Sequence, residues 1–343
     1  MSSPSTQTGA ASNPADRLLQ LATGYMASAC IGVAAQLKIA DLLAGGPKPV
    51  AELAGATQVN EDALYRVLRA LASAGVFTET SARTFANTPV SDAMRTEASD
   101  SVRDMVVWMA DPFHFRTYAE LMHSVQTGGN AVKKLTGMDA FDYFESDKAE
   151  GEMFNAAMTS FSGMIIPAVL EAYDFSGLGT LADIAGGQGF VLTSILKKHP
   201  DLSGILFDLP HVISGAAPRI ESLGPASRCR IVEGDFFQSV TAADSYVMKH
   251  IIHDWDDERA LRILRNCIAA MTGAGKVILI EAVLAPGNEP HLAKWIDIEM
   301  LAMPSGRERT ESEFANLFSG AGLRLSRVVQ TQSPLCVVEA VKA

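Results

Sequence analysis

The chain has 343 residues, enough for two domains that each bury a core, and its 48% hydrophobic and 20% charged residues exclude disordered and fibrous classes. A formal net charge of -11 disfavours nucleic acid as a main partner, because binding phosphates requires a concentrated basic face. The longest apolar runs stay well below the ~18 residues of a membrane span. Cys30, Cys229, Cys267 and Cys336 form no CxxC pair, so we expect reduced thiols, no metal and a cytoplasmic protein.

The start of the chain is small and polar, and residues 1–13 are predicted to be a disordered tail. Ala15 to Leu43 carries apolar residues at helical spacing and is interpreted as helical. A short helix from Val50 to Ala54, a second helix from Glu61 to Ala74 and a hairpin formed by VFTET and RTFANT follow. This order of helix, turn, helix and hairpin predicts a winged-helix domain over residues 14–98.

A winged helix often binds DNA, so the charge of this domain is informative. From Met1 to Arg95, seven basic residues are balanced by seven acidic ones, and the second helix offers only Arg66 and Arg69 as basic side chains. A neutral domain behind an apolar helix fits a protein–protein interface better than a DNA reader. We therefore expect a homodimer, with a ligand-sensing winged-helix regulator as the alternative.

Residues 99–173 are predicted to be mainly helical and are rich in methionine and aromatic side chains. Core packing accounts for several of these side chains, whereas others suit a flat apolar ligand, because such groups adapt to planar surfaces. This stretch is interpreted as a helical linker and substrate-pocket region. The candidate pocket residues, two of them from a later helix, are Trp108, Met109, Phe154, Met158, Phe161, Met300 and Met303.

Residues 174–343 have a different pattern. Short apolar runs are separated by helical stretches, and these runs are LADIAGG, GILFDLP, RIVEGDF, SYVMKHI, KVILIEAVL and LCVVEAV. Strands and helices that alternate at this spacing predict a doubly wound α/β domain with a mostly parallel sheet.

A glycine-rich loop follows the first of these strands, after Asp183. Gly186, Gly187 and Gly189 allow the backbone to approach a ligand closely, where a side chain would collide. The loop has neither the Gly-Lys-Ser/Thr of a P-loop nor GxGxxG in register. Alone it is weak evidence, since dehydrogenases and methyltransferases both use such loops.

The next two strand ends also carry groups that can bind a ligand. Asp208, followed by Leu209, can accept hydrogen bonds from both hydroxyls of a ribose, which excludes NADP but not NAD. Asp235 and Phe236 offer a carboxylate and an aromatic face at the third strand end. Three such ends in succession indicate an adenosine-bearing cofactor, and the alternative that each acid only caps a helix stays open.

The end of the fourth strand carries KHIIHDWDDE. Together with DIAGGQG, FDLPHVI, EGDFF and GRERTESEF, this segment closely resembles the S-adenosylmethionine-dependent O-methyltransferases of plant phenylpropanoids and bacterial aromatic natural products. The resemblance covers nearly the whole chain, including the winged-helix front, which forms a homodimer in that family. It implies a Rossmann-like class I methyltransferase fold, S-adenosyl-L-methionine as cofactor, S-adenosyl-L-homocysteine as product, and a small aromatic hydroxyl as acceptor.

The resemblance also implies roles in cofactor binding. Gly187 and Gly189 approach the methionine and ribose part of the cofactor, and Asp208 holds the ribose hydroxyls. Asp235 and Phe236 flank the adenine. The other candidate residues of the cofactor site are Asp183, Gly186, Leu209 and Lys249.

The same resemblance makes His253 the general base, oriented by Glu281 and Glu308. A phenol titrates near pH ~10 and histidine near ~6.5, so complete proton transfer would cost on the order of 5 kcal/mol. Flanking carboxylates narrow this gap because they raise the basicity of the imidazole. Ala185 departs from the family pattern, in which glycine is usual, and its methyl group is expected to tighten the turn and alter cofactor affinity.

Several alternatives stay open. A diverged member of the family would use the cofactor for decarboxylation or hydroxylation, and an NAD-dependent dehydrogenase would explain the glycine loop but not HDWDD or GRERTE. The acceptor stays undefined among phenolics, quinones, phenazines and polyketides.

Glu299 stands alone in the apolar segment IDIEMLAM and faces either the acceptor or solvent. His250 is interpreted as structural, and the acids interpreted as first-turn residues of the following helix are Asp254, Asp256, Asp257 and Glu258.

Overall fold

The structure is a computed structural model that describes residues 13–224 and 226–343. The chain forms two compact units that meet in sequence between Pro112 and Phe113. Most of the predicted tail, residues 1–12, lies outside the described residues. The finer division into domains made from the sequence stays a prediction.

The first unit consists of helices and a small antiparallel sheet. Its helices are α1 (Pro14–Ala22), α2 (Gly24–Gln36), α3 (Ile39–Leu42), α4 (Val50–Thr57), α5 (Glu61–Ser73), α6 (Pro89–Asp92) and α7 (Arg103–Met109). Its strands are β1 (Lys48–Pro49), β2 (Phe77–Ser81) and β3 (Thr84–Asn87), in the order β1-β3-β2. The predicted helical run from Ala15 to Leu43 is divided into three helices, and Lys38, with a φ of 52°, separates the last two.

The core of the first unit lies among α2, α3, α4, α5 and the β2–β3 hairpin. α5 begins after Asn60, whose side chain accepts a hydrogen bond from the backbone N–H of Ala63 at 2.9 Å. Leu64, Leu68 and Leu71 recur on one face of the helix and are buried. Together with α4, these elements form the helix, turn, helix and hairpin that the sequence predicts.

The second unit contains a larger sheet between helices. Its helices are α8 (Pro112–Ala119), α9 (Leu121–Thr127), α10 (Ala131–Thr136), α11 (Ala140–Ser146), α12 (Lys148–Ala172), α13 (Phe190–Lys198), α14 (Pro210–Ile213), α15 (Ala216–Leu223), α16 (Asp257–Ala270), α17 (Ala293–Ala302) and α18 (Glu311–Ala321). Short 3₁₀ turns span Ala226–Arg228 and Ile252–Asp254. Its strands are β4 (Thr180–Ile184), β5 (Ser203–Asp208), β6 (Cys229–Glu233), β7 (Ser245–Lys249), β8 (Lys276–Glu281), β9 (Val283–Leu284), β10 (Arg309–Thr310), β11 (Leu323–Gln330) and β12 (Cys336–Lys342).

Seven of these strands form one sheet in the order β11-β12-β8-β7-β4-β5-β6. The five strands from β8 to β6 run parallel, and β12 is antiparallel to both of its neighbours. The strand order reverses at β4, which lies between β5 and β7. In such sheets ligands bind at the carboxyl ends of the strands beside this reversal. The predicted doubly wound α/β architecture is confirmed.

A short parallel pair of strands, β9 and β10, joins two segments that are distant in sequence. In its register Val283 is opposite Arg309. β9 follows directly on the strand that ends at Glu281, and β10 follows Glu308. The pairing therefore brings both predicted glutamates to the same end of the large sheet.

Two helical segments, Pro14–Gln36 and Lys148–Ala172, are long and apolar enough to cross a membrane by length and composition. A core helix of a soluble protein meets the same criteria, so this is weak evidence for a span. In α12, Phe161, Ile165 and Ile166 are buried within the unit.

Candidate active site

The loop after β4 adopts the tight turn that its glycines allow. Gly187 and Gly189 have φ angles of 59° and 78°, in the region that favours glycine. Ala185 also has a left-handed φ, 54°, although it carries a side chain. Its N–H donates to the carbonyl of Phe207 at 2.8 Å, which fixes it in this conformation. A left-handed residue other than glycine costs roughly 1–2 kcal/mol, so Ala185 introduces strain into the loop.

Two aspartates lie at the ends of β4 and β5. Asp208 accepts hydrogen bonds from the N–H groups of Gly187, at 2.8 Å, and of Leu209, at 2.7 Å. Asp183 is buried, and this burial, together with the nearby charge of Asp208, raises its pKa to about 7. A Cβ atom at Gly186 would lie 2.6 Å from the carboxylate of Asp183, so only glycine fits there. The two carboxylates and the glycine loop thus form one polar pocket wall.

Beside these strand ends lie an aromatic surface and one cation. Asp235 accepts a hydrogen bond from the N–H of Phe237 at 2.8 Å, and the ring of Phe236 is 6.0 Å from that of Trp255. Lys249 is half-buried, and the loss of solvation lowers its pKa to about 8 against the opposing effect of nearby carboxylates. The predicted residues therefore provide carboxylates, open loop backbone, an aromatic face and a cation, a donor set that fits an adenosine-bearing cofactor with a cationic sulfur.

His253 lies in the 3₁₀ turn after β7 and is surrounded by carboxylates. Its Nδ1 is 2.7 Å from Glu308 Oε1 and 3.7 Å from Glu281 Oε2. Its Nε2 is 3.4 Å from Asp254 Oδ1. Burial alone would lower the pKa of His253, but the charges of Glu281, Glu308 and Asp254 outweigh it and raise this pKa to about 10.

The two predicted orienting glutamates make different contacts. Glu308 hydrogen-bonds the imidazole directly. Glu281 instead accepts hydrogen bonds from the backbone N–H groups of Ile251, at 3.1 Å, and Ile252, at 2.9 Å. Glu281 therefore fixes the backbone of the turn and acts on His253 only through its charge.

The interpretation of Asp254 as a first-turn acid of the next helix is wrong. Asp254 belongs to the 3₁₀ turn, its side chain is 14% exposed, and burial raises its pKa to about 7. Asp256 is the N-cap of α16, where it accepts from the N–H of Arg259 at 2.8 Å. Asp257 and Glu258 lie in the first turn as predicted.

Arg309 is a buried cation that the sequence does not single out. Its side chain is 1% exposed, and its guanidinium donates to the carbonyls of Ile252, at 3.1 Å, and Trp255, at 2.9 Å. The same group pairs with Asp257 Oδ1 at 2.7 Å. Arg309 therefore ties the segment of Glu308 to the turn of His253.

Five of the predicted pocket residues belong to the second unit. Phe161 stacks on His250 with the ring centroids 5.3 Å apart, and His250 lies 4.3 Å from the ring of His253. The other four are half-buried or buried on α12, on α17 and at the C-cap of α17, and they are Phe154, Met158, Met300 and Met303. Trp108 and Met109 end α7 in the first unit, where the former is buried and the latter is 53% exposed.

His250, His253 and Glu281 offer three possible metal-ligand atoms within 4.8 Å of one another. The Nδ1 atom of His253 is already bound to Glu308. The expectation that the protein needs no metal stays a prediction.

The chain matches two protein families over adjacent stretches. Residues 118–324 match an O-methyltransferase domain, and residues 19–97 match an O-methyltransferase dimerisation domain. Among curated relatives, it is 43% identical to a phenazine O-methyltransferase, PhzM, from Lysobacter antibioticus, covering 94% of this chain and 95% of the relative. It is 35% identical to a mitomycin biosynthesis 6-O-methyltransferase from Streptomyces lavendulae, covering 92% of this chain and 91% of the relative.

Solved structures also resemble this chain over nearly its whole length. The structure of LaPhzM superposes with a TM-score of 0.92 at 42% identity, covering 96% of this chain and all of the other. NcsB1 from neocarzinostatin biosynthesis, solved with S-adenosylmethionine and 2-hydroxy-5-methyl naphthoic acid, has a TM-score of 0.79 at 31% identity. That match covers 97% of this chain and 100% of the NcsB1 chain.

Proposed function

Because the chain belongs to the O-methyltransferase family and uses S-adenosylmethionine, we propose that it methylates a hydroxyl of a small aromatic acceptor with His253 as general base. The observation that carries this proposal is the 2.7 Å contact between His253 and Glu308 in a buried site at the end of β7. A buried imidazole held by a carboxylate is the arrangement that general-base catalysis requires.

Cofactor binding is assigned to the glycine loop and to the three strand ends beside it. We assign the ribose hydroxyls to Asp208, which is already fixed by two backbone N–H groups. When bound, S-adenosylmethionine supplies an electrophilic methyl group on a sulfonium. The other residues assigned to cofactor binding are Asp183, Gly186, Gly187, Gly189, Leu209, Asp235, Phe236 and Lys249.

The proton of the acceptor hydroxyl is assigned to Nε2 of His253, because Nδ1 is held by Glu308. An ordinary histidine is about 3.5 pKa units less basic than a phenolate. The neighbouring carboxylates raise the pKa of His253 to about 10, close to that of a phenol. Proton transfer from a phenol to the neutral imidazole then costs little free energy. Because the same pKa keeps most of the imidazole protonated at neutral pH, the neutral, reactive form becomes more abundant as the pH rises.

A flat aromatic acceptor is supported by the relatives and by the side chains near His253. The names of the relatives include a phenazine O-methyltransferase and a 3-amino-4-hydroxybenzoate 4-O-methyltransferase. We propose that the acceptor lies among Phe154, Met158, Phe161, Met300 and Met303 of the second unit; Trp108 and Met109 stay pocket candidates from the sequence alone. The proposed setting is a cytoplasmic homodimer that binds neither nucleic acid nor membrane.

The test is a transfer assay with S-adenosylmethionine that carries a labelled methyl group, across hydroxylated phenazines, naphthoates and simple phenols. We expect the label in an aryl methyl ether for at least one acceptor class. Calorimetry should show binding of S-adenosylhomocysteine and none of NADH. Binding of NADH, or label on carbon only, would refute the proposal.

A further inference from the structure

Glu299 occupies an unexpected position for a carboxylate. It lies in α17 between apolar residues, and its side chain is 14% exposed. Transferring an ionised carboxylate from water into such a place is costly unless hydrogen bonds compensate for the lost solvation. The hydrogen-bond partners of Glu299 therefore indicate the role of this carboxylate.

Two side chains of α8 reach this carboxylate. The hydroxyl of Tyr118 donates to Oε2 at 2.5 Å. Nε2 of His114 is aligned with the same oxygen at 3.2 Å and lies 3.1 Å from Oε1. The rings of His114 and Tyr118 stack, with centroids 5.7 Å apart and planes 21° from parallel. These contacts fix the carboxylate in one orientation.

One oxygen of Glu299 is left with an unused hydrogen-bonding capacity. Oε1 is buried and lies 3.1 Å from Nε2 of His114, but the hydrogen bond of that nitrogen goes to Oε2, and Oε1 accepts none from the residues that the structure describes. Burial and the charge of Glu299 raise the pKa of Tyr118, so its hydroxyl remains a donor to Oε2. A fixed, buried carboxylate oxygen without a donor is complementary to an N–H or O–H group of a ligand.

The position of α17 connects this oxygen to the reaction centre. Asp297, two residues before Glu299, accepts a hydrogen bond from the backbone N–H of Glu308 at 2.8 Å. Two residues correspond to a rise of about 3 Å along a helix and a rotation of about 200°, so Glu299 shares the helix of Asp297 but not its face. Met300 follows on the same helix and Met303 is its C-cap; both are buried, and we assign both to the acceptor pocket. The carboxylate thus lies on the helix that holds the partner of His253.

We propose that Glu299, fixed by His114 and Tyr118, is an acceptor-binding subsite for a second hydrogen-bond donor, such as an amino group, a ring N–H or another hydroxyl. This inference rests on the proposed function, because it presumes that the acceptor hydroxyl lies at His253. The subsite selects acceptors that carry such a donor away from the methylated hydroxyl. It also fixes which hydroxyl reaches the base.

The experiment compares two acceptors that differ only in the second group, a free amino or hydroxyl group in one and its fully methylated form in the other. The wild type should show a higher kcat/KM for the acceptor with the donor. Glu299→Gln should lower this value about 10-fold, since a charge-assisted hydrogen bond is lost, and Glu299→Leu at least as much. Neither change should alter kcat/KM for the methylated acceptor by more than about twofold.

Three controls separate this role from a structural one. Tyr118→Phe should weaken the preference partly, because the carboxylate loses one fixing donor but keeps its charge. Glu289→Gln removes an exposed glutamate in the loop before α17 and should leave both acceptors unaffected. Affinity for S-adenosylhomocysteine should be the same in all four variants. If Glu299→Leu does not fold, the test relies on Glu299→Gln, which keeps the size of the side chain.

Two outcomes would contradict the proposal that Glu299 binds a second donor of the acceptor. A wild type that methylates both acceptors equally well shows that no second donor is recognised. Equal losses for both acceptors in Glu299→Gln show that the residue only supports the fold. A wild type that methylates no hydroxylated aromatic at all refutes instead the proposed function, so the two failures are distinguishable.

Discussion

Ala185 shows how one methyl group changes the energetics of the cofactor loop. Its φ of 54° is strained for alanine, whereas Gly187, at 59°, lies two residues further in open space. Replacing a left-handed alanine by glycine removes roughly 1–2 kcal/mol of strain and restores about 0.5–1 kcal/mol of unfolded-state entropy. The sequence identifies Ala185 as a departure from the family pattern, and the structure supplies the physical consequence.

Ala185→Gly should therefore raise the free energy of unfolding by about 0.5–1 kcal/mol, which denaturant unfolding can measure. Gly187→Ala is the matched change in the opposite direction and should destabilise the protein. It should also weaken binding of S-adenosylhomocysteine, because the loop backbone would no longer approach the ligand. A less stable Ala185→Gly variant would show that the loop carries no strain at this position.

The protonation of His253 should control the pH dependence of the reaction. Its pKa is raised to about 10, so the free enzyme holds a protonated imidazole at neutral pH. For an acceptor hydroxyl whose pKa lies above that of His253, kcat/KM should rise with pH until the pH reaches the pKa of His253. Glu308→Gln removes an anion that stabilises imidazolium, so the pKa must fall and the rising limb must move to lower pH. If the rising part of the pH profile of kcat/KM lies at the same pH in Glu308→Gln as in the wild type, His253 is not the group whose titration causes it.

At the scale of elements, the turn of His253 depends on a segment 55 residues away in sequence. The N–H of Arg307 donates to the carbonyl of His253 at 2.8 Å, and Arg309 binds the carbonyls of Ile252 and Trp255. A Cβ at Gly306 would lie 1.9 Å from the carbonyl oxygen of His253. The close approach of two backbones therefore positions the proposed general base.

Arg309→Met should remove the guanidinium donor from the carbonyls of Ile252 and Trp255, at a total cost of about 1–3 kcal/mol. We expect lower stability and, where the protein stays folded, a kcat reduced by about 10–100-fold with little change in affinity for S-adenosylhomocysteine. Arg307→Lys alters an exposed arginine of the same segment and should behave like the wild type in both assays. A normal kcat in a folded Arg309→Met protein would show that the turn keeps its geometry without this cation.

Patterns along the sequence predicted most of the elements, because strands and helices follow local periodicity and glycine placement. The glycine loop and Asp208 were predicted from their places at strand ends, and His253 and Glu308 from the resemblance of their segments to the O-methyltransferase family; the roles of these residues stay proposals. Arg309 was missed because its partners are 52 to 57 residues away, and a lone arginine in GRERT has no local signal. Asp254 was misassigned because four acids within five residues resemble a helix start, and only the fold shows that the helix begins at Asp257.

At the scale of the whole molecule, the class I methyltransferase fold and the helical dimerisation domain predicted from the sequence are confirmed. α1 and α2 expose large apolar side chains, and contiguous apolar surface of this kind marks an interface. The exposed residues on these two helices are Leu18, Leu19, Leu21, Tyr25, Met26 and Val33.

Light scattering at micromolar concentration should give about twice the 36.5 kDa mass of one chain. Leu19→Glu combined with Tyr25→Glu should shift the protein to a monomer, because two charges cannot be buried in a symmetric apolar interface. Val90→Glu, an exposed apolar residue of the same unit outside α1 and α2, is the matched control and should stay dimeric. A dimer that survives the double change would place the interface elsewhere.

The most direct test of the account is the rate of labelled methyl transfer by wild type and His253→Ala across phenolic acceptors of graded acidity. The variant should bind S-adenosylhomocysteine as the wild type does but transfer methyl about 10²–10⁴-fold more slowly. This loss should shrink for an acidic acceptor such as a nitrophenol, which needs less help to release its proton. A loss of the same size for every acceptor, or no loss at all, would contradict proton transfer to His253.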